Sequence, residues 1–293
     1  MELTQLIYFR IAAYHQNFSR AAEDLNITQP ALSSVINRLE AELGVTLFDR
    51  RGRSIYLNEN GKVFLEKANH ILGEIDDAKH ELNKNAGIRD TSISLAVSSS
   101  QYLFGMHTFM NQHPEYKWNL SVEGNDAIIP KLDMRKIDFA ITSPGIYGIN
   151  YTSILLLHDT FKLAVHKDNP LSKKKTISLN DVTNERFIML ARNSSFQKQV
   201  DRIFNDYDIS PNYVIECDHL LRRELINSNA GITIASHSAA FRHLFNEDIR
   251  FIDIKEISTY SRDIVLVYLK DKYLNEATKL FINFIKEKFN KST

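Results

Sequence analysis

Thr28, Gln29, Pro30, Ser33, Ser34, Asn37 and Arg38 have the side chains and spacing to read a nucleic acid. On a helix they share one face, opposite an apolar stripe of Leu32, Val35, Ile36, Leu39 and Leu43. Short hydroxyl and amide side chains let such a helix sink into a groove and hydrogen-bond base edges or phosphates. A bidentate amide contact to adenine, open to Gln29, discriminates by about 1–3 kcal/mol. Arg50, Arg51 and Arg53 follow in a predicted hairpin from Leu47 to Leu57, placed to reach phosphates or the adjacent minor groove. An ordinary solvated face and a surface charge cluster would account for the residue types, but not for their places in these elements.

The elements that must hold these residues are legible around them. Ser19 is expected to cap a short helix in which Ala21, Ala22 and Leu25 face inward. Asn26 suits the left-handed backbone of a sharp turn. Thr28 then caps the next helix, with Ile27 and Leu32 spaced as a hydrophobic staple. Pro30 is tolerated because first-turn N–H groups lack intrahelical partners. Gly44 stands where a left-handed C-terminal stop belongs. Two helices, a tight turn and a hairpin make a winged helix-turn-helix, a shape that places its second helix in the major groove of DNA.

The run from Phe18 to Gly61, with FSRAAEDLNITQPALS, INRLEAELGVTLFDR and LNENG, resembles the N-terminal signature of LysR-type transcriptional regulators. Asn58 stands where that pattern usually has threonine, and it caps a following helix equally well. Ser34 stands where the pattern commonly has arginine. Ser19 joins the DNA-contacting set by its place in this frame.

Composition bounds the alternatives. A length of 293 residues fits about two domains, and 43% hydrophobic residues can build sizeable cores. The apolar runs are too short for a membrane span, and the start MELTQLIYFRIAAYHQ reads as a helix without a charged leader or cleavage site. The single cysteine, Cys217, cannot form an internal disulfide, which suits a cytoplasmic protein. Net charge is zero, and residues 1–88 carry 10 Lys or Arg against 12 Asp or Glu. Charge alone therefore does not point to DNA, although the acids crowd into residues 59–81, away from the hairpin.

From Asn58 to about Lys84 the pattern is one long helix. Phe64, Ala68, Ile71, Ile75, Ala78 and Leu82 recur at alternating intervals of three and four, a seam that calls for a second subunit. Beyond residue 90, strands and helices alternate, as in α/β proteins with largely parallel sheets. Two segments, FKLAVHKDNPL from Phe161 and AGITIASHSA from Ala230, resemble the family's crossings between effector subdomains. The expected organisation is a winged helix-turn-helix over 1–58, a linker and dimerisation helix with hinge over 59–87, and an effector-binding domain over 88–293. By the resemblance that domain has two Rossmann-like lobes, 91–161 with 265–293 and 162–264, around a hinged cleft of periplasmic-binding-protein type.

Ligands of parallel α/β sheets lie outside the carboxyl ends of strands. Ser98, Ser99 and Ser100 follow the first such strand, and with the start of a helix over 101–113 they could hold an anionic group. N-capping explains the same serines. Thr142, Ser143 and Pro144 are expected at the same mouth, with Asn193, Ser194 and Ser195 facing them from the other lobe. Nothing marks catalysis: there is no glycine-rich phosphate loop, CxxC pair or HExxH helix, and the 10 histidines lack metal-ligand spacing. The expectation is a transcription factor that uses no cofactor and no metal. Its partners would be double-stranded promoter DNA, a second copy as homodimer or homotetramer, a small metabolite of anionic type, and RNA polymerase. The rival reading is a solute-binding or enzymatic α/β module with a DNA-tethering head.

Overall fold

The computed structural model describes residues 1–51, 54–85, 91–238, 241, 245–258 and 260–290, with backbone only at 50–51, 54, 80–81 and 83–85. The chain folds as two compact units: Met1–Asp90 with Asp133–Lys136 and Asp271–Tyr273, and the remainder from Thr91 onward.

The first unit opens with helices α1 (Leu3–His15), α2 (Phe18–Asp24) and α3 (Gln29–Leu43). Ala12, Ala21 and Ala22 are at most 2% exposed, so the small side chains let the helices approach closely around Phe9, Leu32, Ile36 and Leu39. Asn26 takes φ +54° in the turn and Gly44 φ +72° at the end of α3. Thr28 Oγ1 accepts from the Ala31 N–H at 3.4 Å and caps α3. The cap of α2 is not Ser19. Asn17 Oδ1 accepts from the N–H groups of Ser19 and Arg20 at 2.9 and 3.1 Å. Starting the helix at Phe18 buries that ring, which is 8% exposed, and leaves Ser19 exposed in the first turn.

The hairpin pairs β1 (Phe48–Arg51) with β2 (Ser54–Leu57), in register from Phe48 opposite Leu57 to Arg51 opposite Ser54. Glu40 Oε1 accepts from the N–H groups of Leu47 and Phe48 at 2.6 and 3.2 Å, which pins β1 to α3. The Ile55 N–H donates to the Gln16 carbonyl at 3.0 Å, tying β2 to the end of α1. Asn58 Oδ1 accepts from the Gly61 N–H at 2.9 Å and caps α4 (Glu59–Asn85), a helix of about 40 Å at ~1.5 Å per residue.

The seam on α4 divides. Ala68 is fully buried in the core of its own unit, and Phe64 packs against that core, stacking edge-on to Phe9 with centroids 5.1 Å apart. These two pack into the head, because the first turns of α4 lie against α1. Ile71 and Leu82 are 42% and 67% exposed, Ala78 is exposed, and Ile75 is half-buried.

The second unit is built on a mixed sheet, not a largely parallel one. β3 (Ser92–Val97) pairs in parallel with β4 (Lys117–Val122) and β5 (Phe139–Thr142). β12 (Ser261–Leu269) runs antiparallel to both β5 and β6 (Tyr151–His166). β10 (Thr233–Ser236) and β11 (Ile249–Ile254) flank the far end of β6, also antiparallel, and β11 pairs in parallel with β7 (Thr176–Ile177). β8 (Phe187–Leu190) and β9 (Tyr213–Cys217) form a separate parallel pair. The antiparallel share arises because the chain crosses between lobes once in each direction, along β6 and back along β12. Helices α5 (Met106–Gln112), α6 (Asn125–Asp133), α7 (Ser195–Asp206), α8 (His219–Asn227) and α9 (Glu276–Asn290) complete the unit.

Each lobe has its own core. One gathers Ile93, Leu95, Phe139, Ile264, Phe281 and Phe289, and also takes Phe241. The other gathers Phe161, Leu163, Phe187, Phe196, Phe204 and Ile252. At the crossing, the fully buried Asp159 accepts from Arg262 Nη2 and Nε at 2.8 and 2.9 Å, from the Ser238 N–H at 3.1 Å and from the Ser236 hydroxyl.

Candidate nucleic-acid face and effector cleft

In the first unit, Gln29, Pro30, Ser33, Ser34, Asn37, Arg38 and Ala41 line one continuous concave face of α3. Gln29, Pro30, Ser34, Asn37 and Arg38 are exposed and Ser33 is half-buried. Leu32, Ile36 and Leu39 are fully buried on the opposite side, so the amphipathic split of α3 is the one its sequence pattern requires. Thr28 is exposed at the leading end, although its hydroxyl is engaged in the cap. Backbone pairing places Arg50 and Arg51 on β1, while Arg53 lies outside the described residues.

In the second unit, a chamber of about 310 Å³ opens between the lobes. Ser98, Ser99 and Ser100 line it from the end of β3, and Asn193, Ser194 and Ser195 line it from the start of α7. The expected pairing of these two sets is thus realised. Thr142 and Ser143 do not reach the chamber: they are at most 1% exposed, and the Ser143 N–H donates to Ser98 Oγ at 3.0 Å from behind. Pro144 is exposed away from it, its carbonyl accepting from Asn125 Nδ2 at 2.8 Å. β5 pairs beside β3 with Ile141 opposite Val97, so the residues that follow it lie next to the serines and brace them.

The helix expected over 101–113 is broken. Ser99 caps a single 3-10 turn, Ser100–Leu103, its Oγ accepting from the Gln101 N–H at 3.4 Å. Gly105 then adopts φ +76° before α5 begins. The serines therefore do not face the start of a long helix, and the dipole argument for an anion fails there. It holds better at α7, where Ser194 is the N-cap residue and its side chain makes no capping hydrogen bond.

Leu190, Ala191, Cys217, Asp218, His219 and Leu220 from one lobe, with Val122, Glu123 and Gly124 from the other, also line the chamber. The signal that would have found Cys217–Leu220 is the one that found the serines, since these residues follow the carboxyl end of a parallel strand. Asp218 Oδ1 caps α8 by accepting from the Leu221 N–H at 2.8 Å. Glu123 is engaged by Lys131 Nζ at 2.5 Å. Burial pushes the Cys217 thiol up, so it stays protonated and is a poor nucleophile.

His219 spans the cleft. Its Nε2 lies 3.1 Å from Ser99 Oγ, and its Nδ1 lies 3.4 Å from Arg222 Nη2. Arginine can only donate, so Nδ1 accepts and the ring proton sits on Nε2, donated to the serine. Burial, then the charges of Arg222 and Arg262, push the imidazole pKa down to about 3, so the ring is neutral at pH 7. The chamber thus presents hydroxyls, an amide, a neutral imidazole and two carboxylates. Among the described residues no cluster of metal-ligating side chains occurs, and no helix is long and apolar enough to cross a membrane.

Comparison with known proteins places both units. Residues 3–62 match the family described as bacterial regulatory helix-turn-helix protein, lysR family, and residues 92–290 match the LysR substrate binding domain. The HTH-type transcriptional regulator YtlI of Bacillus subtilis is 29% identical over 296 residues, covering 99% of this chain and 94% of the relative. BenM of Acinetobacter baylyi, also a transcriptional regulator, is 27% identical over 291 residues, covering 96% of this chain and 93% of that protein. In fold, full-length OxyR from Pseudomonas aeruginosa superimposes with a TM-score of 0.64 at 18% identity, covering 100% of this chain and 96% of that one. The relatives are regulators and not enzymes, which removes the enzymatic alternative. A DNA-reading head joined to a two-lobed domain with a polar cleft, matched along nearly the whole chain, has one consequence: this protein belongs to the LysR family of bacterial transcriptional regulators and is a ligand-responsive DNA-binding protein.

Proposed function

We propose that α3 enters the major groove of promoter DNA through Gln29, Pro30, Ser33, Ser34, Asn37 and Arg38. Ser19 and Thr28 meet the flanking phosphates, and Arg50, Arg51 and Arg53 follow the backbone or minor groove. The exposed Ile71, Ala78 and Leu82, with Ile75, form the contact with a second copy, in a dimer or a tetramer. In this reading residues 1–58 read DNA, 59–87 pair subunits and link, and 88–293 sense the effector. Its lobes are 91–161 with 265–293 and 162–264. The protein works in the cytoplasm and acts on RNA polymerase.

The effector is a small polar metabolite held by Ser98, Ser99, Ser100, Asn193, Ser194 and Ser195. The observation that carries this is that six hydroxyl or amide residues, from opposite lobes and about 100 positions apart, line one chamber. The carboxylates of Glu123 and Asp218 in the same wall favour a neutral or zwitterionic molecule over the simple anion that the sequence implies. The effector acts only through its different affinity for two arrangements of the lobes. A thermal-shift screen of amino acids, organic acids and their derivatives on the full chain tests it, followed by footprinting with each hit. At least one compound should raise the melting temperature and alter the footprint. A hit that saturates the wild type and binds a Ser99→Ala, Ser194→Ala double variant equally well would remove the chamber from the mechanism.

A further inference from the structure

A second cavity, of about 350 Å³, lies on the other side of the His219 bridge and shares Ser100, His219 and Leu220 with the serine chamber. Its walls have a different chemistry. Arg222, Arg223 and Gln101 line it together with the apolar Leu103, Phe104 and Phe245. The serine chamber carries two carboxylates, whereas this cavity is lined by cations and apolar groups.

Arg222 makes the cavity more than a surface dimple. It is 2% exposed, and no Asp or Glu among the described residues lies within ion-pairing distance of it. Residues 239–240 and 242–244, outside the described set, contain no carboxylate. Its Nη1 donates to the Ile234 carbonyl and its Nη2 to His219 Nδ1, both at 3.4 Å, and its Nε has no partner. Its Cζ lies 5.4 Å from the centroid of Phe196, and the same ring takes Arg262 at 4.5 Å. Arg262 is satisfied by Asp159. Two buried guanidinium groups therefore share one carboxylate, and the excess positive charge sits at Arg222. Burial pushes its pKa down to about 10, which still leaves it charged at pH 7. A buried cation with an idle donor is costly unless an anion completes it.

We propose that this second cavity is a binding site for a small aryl or alkyl monocarboxylate, whose carboxylate pairs with Arg222 while its apolar body packs on Leu103, Phe104 and Phe245. A guanidinium grips a carboxylate through charge-assisted N–H bonds, and Arg222 lines the cavity wall without a carboxylate of its own. The cavity has room for about ten non-hydrogen atoms, at roughly 30 Å³ each. Binding here does not depend on the serine chamber being an effector site.

The test is calorimetric titration of the full chain with phenylacetate, with phenylacetamide as the neutral isostere and sodium chloride at matched ionic strength. Phenylacetate should bind one per chain, and phenylacetamide at least about tenfold more weakly. Arg222→Met should abolish binding while the melting temperature stays level or rises, because the variant removes an unpaired buried charge. Phe104→Glu guards against a variant that fails to fold: the residue is 52% exposed, and an added carboxylate at the wall should weaken phenylacetate at least about tenfold. No heat up to about 10 mM phenylacetate, equal binding of the amide, saturation by chloride alone, or binding that survives both substitutions would each overturn the assignment. None of these outcomes bears on the screen of the serine chamber.

Discussion

His219 donates its Nε2 proton to Ser99 Oγ across 3.1 Å, joining residues 120 positions apart on opposite lobes. The bond exists only while the imidazole is neutral on Nδ1, because Arg222 occupies that nitrogen as a donor. Protonating Nδ1 would set two cations against each other in a buried place.

That constraint gives a pH dependence with a definite sign. The ring's pKa falls from 6.5 in the open chain to about 3 in the folded unit. The stabilisation is complete above 6.5 and is lost progressively as pH falls, because the unfolded state takes up the proton first. The melting temperature of the full chain should drop as pH is lowered from about 6.5 towards about 3. His219→Gln should flatten that slope, and scanning calorimetry at several pH values would show it. An unchanged slope would remove His219 as the source.

Asp159→Asn should be among the most damaging single changes. It leaves Arg262 buried at 5% exposure with no anion, beside the already unpaired Arg222. Breaking a buried pair in this way costs about 3–5 kcal/mol. Trp118, the sole tryptophan, lies against the core of the first lobe, so its fluorescence during urea unfolding reports the loss.

Subunit pairing and head folding should separate along α4. Leu82→Asp is expected to shift sedimentation from dimer towards monomer while leaving the melting of the head within about 0.5 kcal/mol, as surface changes do. Ala68→Asp should instead unfold the head, since a carboxylate would enter a fully buried position. A Leu82→Asp protein that remains dimeric would relocate the interface.

On DNA, Gln29→Ala and Arg38→Ala should behave differently. The first should relax preference at one base pair by about 1–3 kcal/mol, and the second should weaken all sequences and reduce the salt slope by about one. Binding-site selection and salt titrations with each variant would separate a base contact from a phosphate contact.

Much of the first unit was legible because its signals are local. Asn26, Thr28, Gly44 and Asn58 each do their work within a few residues, and the α3 stripe is set by helical period alone. Ser19 misled because Asn17, two residues earlier, is an equally good cap and lets Phe18 enter the core. Strand β7, two residues long, carries too short a pattern to detect. The cleft was half legible. Ser98 follows a strong apolar strand, but the pairing of β8 with β9 and the approach of α8 to Ser99 are long-range events. Arg222 was hidden altogether. In the run His219–Glu224 it reads as one more charge on a solvated helix, and only the tertiary fold shows it to be the buried one.

β6 is a single 16-residue strand whose first part belongs to one lobe's ladder and whose last part belongs to the other's. No loop interrupts it, and its pairing with β12 shifts register between Ile264 and Val265, where Leu156 of β6 is the extra residue. The lobes are thus coupled as by a leaf spring, not a door hinge. Any narrowing of the cleft must be stored as elastic curvature in a hydrogen-bonded ribbon, and release of the ligand would let that curvature relax of its own accord.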